Sequence, residues 1–293
     1  MPIDTVHIQC NYCESDDYDV IFPSTIGDRS ATTDEYVSTT TKYSDYHNIV
    51  KCRECGLIYM NPRDRDIASL YEDVVDDKYL TTWQERKGIF RDLIRKIGKF
   101  MPSGRLLDVG TYAGIFCETA IEAGYDVTGV EPSAWGAAYA SERTGANVIQ
   151  GTAEKVDLGE KTFDLITMWD VVEHMEDPHG CFRKLHDHLA SDGILAVTTH
   201  DIGSLVARLM GKRYPWLMRF HLYHFTPEML IRVCNKAGFE CVHKEYFVKK
   251  FSLSYLLSRL GINAAPDIFN RILIPVYMRD MFLCVFRKTS ATD

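Results

Sequence analysis

Three groups of residues in this chain stand at spacings or places that suit chemistry. Of the nine cysteines, four fall in pairs, Cys10-Asn11-Tyr12-Cys13 and Cys52-Arg53-Glu54-Cys55. A CxxC turn aims two thiolates at one point, and two such turns supply a tetrahedral four-sulfur zinc site. Gly56, directly after the second pair, suits the turn of such a knuckle. A closed four-sulfur site leaves the ion no open position, so a folding role is expected for Cys10, Cys13, Cys52 and Cys55, and no metal catalysis. The competing readings are four unrelated buried cysteines or a redox pair, and neither pair sits between a strand and a helix as a thioredoxin-type motif would. An odd cysteine count, and no basic stretch followed by an apolar one in Met1–Cys10, predict free thiols in a reducing, cytoplasmic setting.

The second arrangement is a glycine bend followed by a carboxylate. Arg105-Leu106-Leu107-Asp108-Val109 is a short apolar strand, Gly110-Thr111-Tyr112-Ala113-Gly114 a bend, and Ile115 to Ala123 a helix. Val127 to Val130 is a second strand, ending in Glu131, 21 positions beyond Gly110. An acid at the tip of the second strand of a doubly wound sheet can accept hydrogen bonds from both hydroxyls of a ribose. That geometry suits NAD or S-adenosylmethionine (SAM). Tyr112 stands where the dinucleotide pattern needs its second glycine, which disfavours a pyrophosphate and is compatible with a ligand lacking phosphates.

A third group is histidine, which removes protons near neutral pH. Ten are present, and His174, His221 and His224 fall in informative places. His174 follows the strand that ends at Trp169 and Asp170. His221 and His224 flank Tyr223 in a segment beyond the fifth strand. Loop organisation is the alternative for His174, and at least one of the three is expected to be structural.

These groups need elements to hold them. The predicted organisation is a cysteine module over 1–61, a helical linker over 62–102, a cofactor-binding core over 103–200, and substrate-facing helices, an insertion and two last strands over 201–293. The Thr- and Tyr-rich run after Ala31 predicts strands at Tyr36–Thr39 and His47–Val50. The linker carries a short helix from Ile67 and a longer one from Thr82 to Phe100, with Ile89, Phe90, Leu93, Ile94, Ile97 and Phe100 on a buried face. Arg86, Lys87, Arg91, Arg95, Lys96 and Lys99 lie between them, as a solvated face or a phosphate-binding one. Beyond Asp201, Leu205, Val206, Leu209 and Met210 share a helix face. Thr226 is a predicted N-cap with Pro227 in the first turn. The apolar run from Phe251 to Tyr277 could serve as lid, subunit contact or membrane contact. Forty-six per cent of residues are hydrophobic and the net charge is −8, which disfavours a nucleic-acid partner. No uncharged apolar run of about 18 residues occurs, so no spanning helix is expected.

Five segments together resemble the class I SAM-dependent methyltransferases. Leu106–Phe116 is similar to their first motif and Val130-Glu131-Pro132-Ser133 to their second. Gln150–Glu154 resembles the segment bordering the adenine, Thr162–Pro178 the fourth strand and its loop, and Ser191–Val197 the fifth strand. The resemblance implies an α/β, Rossmann-like sheet of seven strands. It implies SAM as cofactor, with Asp108, Gly110, Thr111, Tyr112 and Gly114 at the methionine end, Glu131 and Pro132 at the ribose, and Thr152, Ala153 and Glu154 near the adenine. Trp169 and Asp170 would close the strand edge. It ranks His221 first as base, with His174, His224 and Tyr223 behind it. A four-cysteine module ahead of such a core is similar to a bacterial group that includes sugar C-methyltransferases. A structural zinc and a small-molecule acceptor, such as a nucleotide-linked sugar methylated at O or C, are then expected, in a chain that could form homo-oligomers. The alternatives are an RNA methyltransferase and a non-catalytic SAM- and zinc-binding scaffold, the latter suggested by Tyr112.

Overall fold

The computed structural model describes residues 5–27, 45–65, 67–247, 249–252, 273–276 and 278–289, together with Arg29 and Glu35. The N-terminal part holds five short strands: β1 (Thr5–Val6), β2 (Tyr18–Phe22), β3 (Ile49–Cys52), β4 (Ile58–Met60) and β5 (Arg63–Asp64). Three helices follow, α1 (Ile67–Glu72), α2 (Asp77–Thr81) and α3 (Trp83–Ile97). The chain then alternates: β6 (Gly104–Val109), α4 (Ile115–Glu122), β7 (Tyr125–Glu131), α5 (Ala134–Thr144), β8 (Asn147–Gln150), β9 (Phe163–Trp169), α6 (Pro178–His188) and β10 (Leu189–His200). It ends with α7 (Leu205–Met210), β11 (Tyr223–His224), α8 (Pro227–Lys236), β12 (Phe239–Tyr246), the pair β13 (Lys249–Ser252) and β14 (Leu273–Val276), and β15 (Met281–Lys288).

Seven strands form the central sheet in the order β12-β15-β10-β9-β6-β7-β8. The strands from β10 to β8 run parallel, and β15 is antiparallel to both of its neighbours. Strands covered by helices on both faces need apolar residues at successive positions. Leu106-Leu107 and Ile194-Leu195-Ala196-Val197 meet that need, and their side chains alternate between two cores. On one side, Leu93, Ile94 and Ile97 of α3 and Phe116 and Ala120 of α4 pack with Leu106, Leu165 and Leu283. On the other, α6 and α8 meet Leu107, Val197 and Phe286.

The cysteine-bearing part is fused to that second core. Cys10, Val50, Cys52, Leu57 and Tyr59 belong to the same cluster as Tyr223, Phe225 and Leu230. Its antiparallel sheet has the order β11-β4-β3-β2, so a strand from beyond the fifth parallel strand completes it, with Tyr223 opposite Tyr59. Asn11 also hydrogen-bonds Asp177, and the Arg232 side chain donates to the Cys55 carbonyl.

Most of the basic side chains of α3 have partners on neighbouring elements or on the helix itself. Lys87 is buried between Glu118 and Glu122 at 2.6 and 2.7 Å, Arg86 lies over the Tyr79 ring at 3.9 Å, and Lys96 meets Glu245 at 2.7 Å. One expected buried position is corrected, and the shared face of α7 lies exposed. Ile89, at the edge of the buried arc of α3, is 59% exposed, and Leu205 and Leu209 of α7 are 70% and 78% exposed. Thr226 caps α8 as expected, its side chain accepting from Met229 N–H. The strand expected at His47–Val50 lies at Ile49–Cys52. The strand expected at Tyr36–Thr39 and most of the 251–277 insertion lie outside the described residues. No helix among the described residues is long and apolar enough to cross a membrane.

Candidate functional site

In open α/β sheets, ligands bind beyond the carboxyl ends of the parallel strands. Asp108, Glu131, Trp169 and His200 lie at or next to the ends of β6, β7, β9 and β10, four neighbouring strands of the sheet. The chain bends sharply after β6: Gly110, Tyr112 and Gly114 all have positive φ, at 76°, 48° and 85°. At Gly110 the demand is also spatial, since a Cβ there would stand 2.4 Å from the Val171 side chain on the loop after β9. Tyr112 adopts its strained angle while its N–H donates to Glu131 Oε2 at 2.7 Å. Its ring leans on Tyr79 (4.7 Å between centroids) and Trp135 (5.8 Å). The tyrosine is thus accommodated by an aromatic wall from α2 and α5.

Asp108 and Glu131 are 1% and 4% exposed. Burial disfavours an ionised carboxylate. It pushes Asp108 up to about 7, against hydrogen bonds from Thr167, Cys117 and Thr111, and Glu131 up to about 7, against the N–H groups of Ser133 and Tyr112. Each Glu131 oxygen accepts one backbone N–H, Oε2 from Tyr112 and Oε1 from Ser133 at 2.8 Å, which leaves each a second lone pair. Two buried carboxyls, both pushed up by burial, fit a ligand that brings donors. A ribose diol would serve Glu131 and an ammonium Asp108. Among the described residues, the buried Thr152 Oγ1 and Trp169 Nε1 have no hydrogen-bond partner in the chain, consistent with the same vacancy of donors and acceptors. SAM has the diol and the ammonium these groups would take.

The remaining expected cofactor residues divide. Thr111 Oγ1 donates to the Asp108 carbonyl at 3.0 Å and so braces the bend. Pro132 precedes Ser133, whose hydroxyl caps α5 by accepting from Gly136 N–H. Ala153 and Glu154 are tied to neighbouring segments: Lys184 donates to the Ala153 carbonyl, and a Glu154 oxygen accepts from Glu176 N–H at 3.2 Å. Trp169 packs edge-on against Phe116, 5.0 Å between centroids. Asp170 has φ 55° and exchanges hydrogen bonds with the Thr198 hydroxyl.

Three distant segments bring the histidines together. His174 follows β9, His200 ends β10, and His221 and His224 come with β11. The His174 and His221 rings meet edge to face at 4.8 Å, and His221 lies 6.3 Å from His200 and from His224. His221 Nδ1 is 2.9 Å from the Trp216 carbonyl and His174 Nδ1 is 3.0 Å from the Phe220 carbonyl. A carbonyl only accepts, so neutral His221 carries its proton on Nδ1 and its lone pair on Nε2, while His174 Nδ1 is shared between the Phe220 carbonyl and the Tyr71 hydroxyl at 2.9 Å. Burial, then the neighbouring His174, His200 and His224, hold His221 well below the usual imidazole range. Burial and His200 take His224 to about 3. Tyr223 points away from this group, its hydroxyl donating to the Glu176 carbonyl at 3.2 Å and its ring lying in the core. Successive strand residues face opposite ways, so Tyr223 and His224 cannot share a pocket.

Sequence reasoning missed Glu173, His200 and Trp216. Glu173 is 2% exposed, with its carboxylate 3.7 Å from His200 Nδ1, and burial pushes it up. His200 stacks on Trp216 at 3.8 Å. Donor atoms of Asp170, Glu173 and His200 lie within 4.8 Å of one another, as do those of Glu173, His174 and His221. Such a cluster can hold and move a proton. The only advance signal was position: Glu173 adjoins His174, and His200 closes a parallel strand.

The four knuckle sulfurs also converge. Cys10 Sγ is 3.4 Å from Cys55 Sγ, Cys13 Sγ is 3.5 Å from Cys52 Sγ, and all four lie within 4.8 Å. Tetrahedral Zn–S bonds of about 2.3 Å imply S···S separations of about 3.8 Å, so the set fits a zinc ion. Glu14 and Gly56, the residues after each pair, both have positive φ, at 62° and 83°, giving the two knuckles one shape.

Comparison with known proteins agrees with this geometry. The methyltransferase domain family matches residues 82–244. A ubiquinone biosynthesis O-methyltransferase of Azorhizobium caulinodans is 31% identical over 175 residues, 53% of this chain and 69% of that protein. Its counterpart from Glaesserella parasuis is 23% identical over 192 residues, 56% of this chain and 81% of that protein. A SAM-dependent methyltransferase of Thermotoga maritima shares the fold, with a TM-score of 0.51 at 21% identity, over 73% of this chain and 95% of that one. With more than half of its length matched and the cofactor corner built as described, the chain belongs to the methyltransferase domain family and is a SAM-dependent methyltransferase.

Proposed function

We propose that the chain methylates a hydroxyl of a small, locally uncharged acceptor, with His221 as general base. The observation that carries this reading is the state of His221: buried, held well below the usual imidazole range and so neutral at pH 7, with its Nδ1 proton committed to the Trp216 carbonyl, which leaves the lone pair on Nε2. SAM supplies a methyl already activated by the sulfonium. The chain must align the acceptor oxygen at about 3–3.5 Å, exclude water and take the hydroxyl proton. His221 takes it, and Glu173 next to His200 gives the resulting positive charge a buried counter-charge. His174 and His224 line the same space.

The curated relatives are named O-methyltransferases, which supports oxygen over carbon as the acceptor atom. The nucleotide-linked sugar draws no support from those relatives. The groups acting electrostatically on His221 are other histidines, and Asp170 and Glu173 stand beside them, so an anionic group next to the reacting atom would be repelled. The rings of Trp216, Phe220 and His200 provide flat walls that suit a planar ring or the apolar face of a sugar. The test is SAM turnover against matched acceptors. Hydroxylated rings should give S-adenosylhomocysteine and a methyl ether, and the same rings lacking the hydroxyl should give neither. Transfer to carbon in the deoxygenated compound would overturn the reading.

The four cysteines are proposed to hold a structural zinc. About one zinc per chain should be released by a chelator or by Cys52→Ser, with loss of stability in the N-terminal part. A metal-free preparation with that part intact would reject the site.

A further inference from the structure

We propose that Arg219 and Asp64 are positioning residues for methyl transfer: their buried ion pair fixes the acceptor-side loop, and with it His221, against the cysteine-bearing module. Arg219 is 2% exposed and Asp64 6%. The guanidinium donates through Nε to one Asp64 oxygen at 2.6 Å and through Nη2 to the other at 2.7 Å. Its Nη1 reaches the Arg29 carbonyl at 2.9 Å and Glu35 at 3.4 Å. Asp64 also meets His47 Nε2 at 3.1 Å. Every partner of Arg219 named here lies in the first 64 residues, while Arg219 itself stands two positions before His221.

An apolar pair of similar volume would hold these segments together at least as well, so stability alone does not call for a buried ion pair. What a two-pronged guanidinium–carboxylate contact adds is direction, because both hydrogen bonds form only in one orientation. The rest of the loop is tied with similar economy. The Phe220 carbonyl accepts from His174, Leu222 N–H donates to the Glu173 carbonyl at 2.7 Å, and Met60 N–H donates to the Leu222 carbonyl at 2.8 Å. His221 sits between these anchors, so the Arg219 fork on one side and the Leu222 ladder on the other set where its Nε2 points. A misplacement of about 1 Å at a reacting group can cost about 10²-fold in rate. The cysteine module is on this account a fixed wall of the acceptor site.

The inference rests on His221 as the base, and the experiment separates the two. Asp64→Asn and Arg219→Lys keep size and polarity and remove the two-pronged charge pair. In full-length protein we expect kcat to fall at least tenfold, with SAM affinity within twofold of the parent. We also expect the acidic limb of the kcat–pH profile to move up towards 6.5, because His221 leaves the burial and the His174, His200 and His224 neighbours that hold it down, against the opposite pull of the adjacent Glu173. Should either substitution prevent folding, the double variant Asp64→Leu/Arg219→Met, which leaves neither of these charges buried alone, decides by the same readouts. Parent-level kcat and an unmoved pH profile in a folded variant overturn the positioning role. An unimpaired His221→Ala protein would instead remove His221 as base, whatever the Asp64 variants do.

Discussion

The cofactor corner and the histidine cluster are both buried and both filled with titratable groups, yet burial serves them in opposite ways. At the corner it pushes Asp108 and Glu131 up to about 7, which suits the proposed completion of the site by a ligand that brings an ammonium and a diol. In the cluster it holds His221 and His224 neutral, which is the state a base must be in before it acts. The same desolvation makes one region wait for charge and the other wait for a proton. The two also differ in construction. The corner comes from one stretch, Asp108 to Ser133, while the cluster draws on β9, β10, β11 and, through Arg219 and Asp64, the N-terminal module.

That contrast can be broken at its strongest point first. His221→Ala should lower kcat by roughly 10²-fold or more with SAM affinity kept, measured by turnover and calorimetry. A loss of SAM binding instead would merge the two regions. Next in size, Glu131→Ala should weaken SAM by about tenfold or more, close to 1.4 kcal/mol, with the histidines undisturbed. Unchanged affinity would take Glu131 out of the corner. A smaller effect is expected on stability. Glu131 is raised above its usual 4.5, so the stability it contributes is present below that value and is lost as pH rises through about 7. His224 is depressed to about 3, so the stability it contributes is present above 6.5 and is lost as pH falls towards 3. From these two groups the ligand-free protein should therefore melt highest between about pH 5 and 6, and Glu131→Gln should flatten the alkaline side.

The two regions also differed in how much of them the sequence disclosed. A glycine bend between an apolar strand and a helix is local, and the strand, the bend, the helix and Glu131 were legible because each follows from its neighbours. The Thr226 cap of α8 was legible for the same reason. The central sheet followed from the alternation of apolar strands and helices. The histidine cluster was legible only in part. His174 and His221 stood out by type and place, but Glu173 and His200 acquire meaning only when β9 and β10 lie side by side. Arg219 and Asp64 are 155 positions apart, and no periodicity links them. Tyr223 was misplaced because a two-residue strand gives no alternation to read. Ile89 was assigned to a buried face by spacing alone, and spacing does not say how wide the covering surface is.

The central proposal is that Glu131 and Asp108 bind SAM and are ionised as it binds. Titration calorimetry with SAM at pH 6, 7 and 8, in buffers of different ionisation enthalpy, tests it directly. Taking one carboxyl near 7 as controlling, affinity should rise by about tenfold from pH 6 to 8, with net proton release at pH 6 that fades by pH 8 and is reduced in Glu131→Gln. Affinity that is flat across this range, with no proton released, would contradict the account.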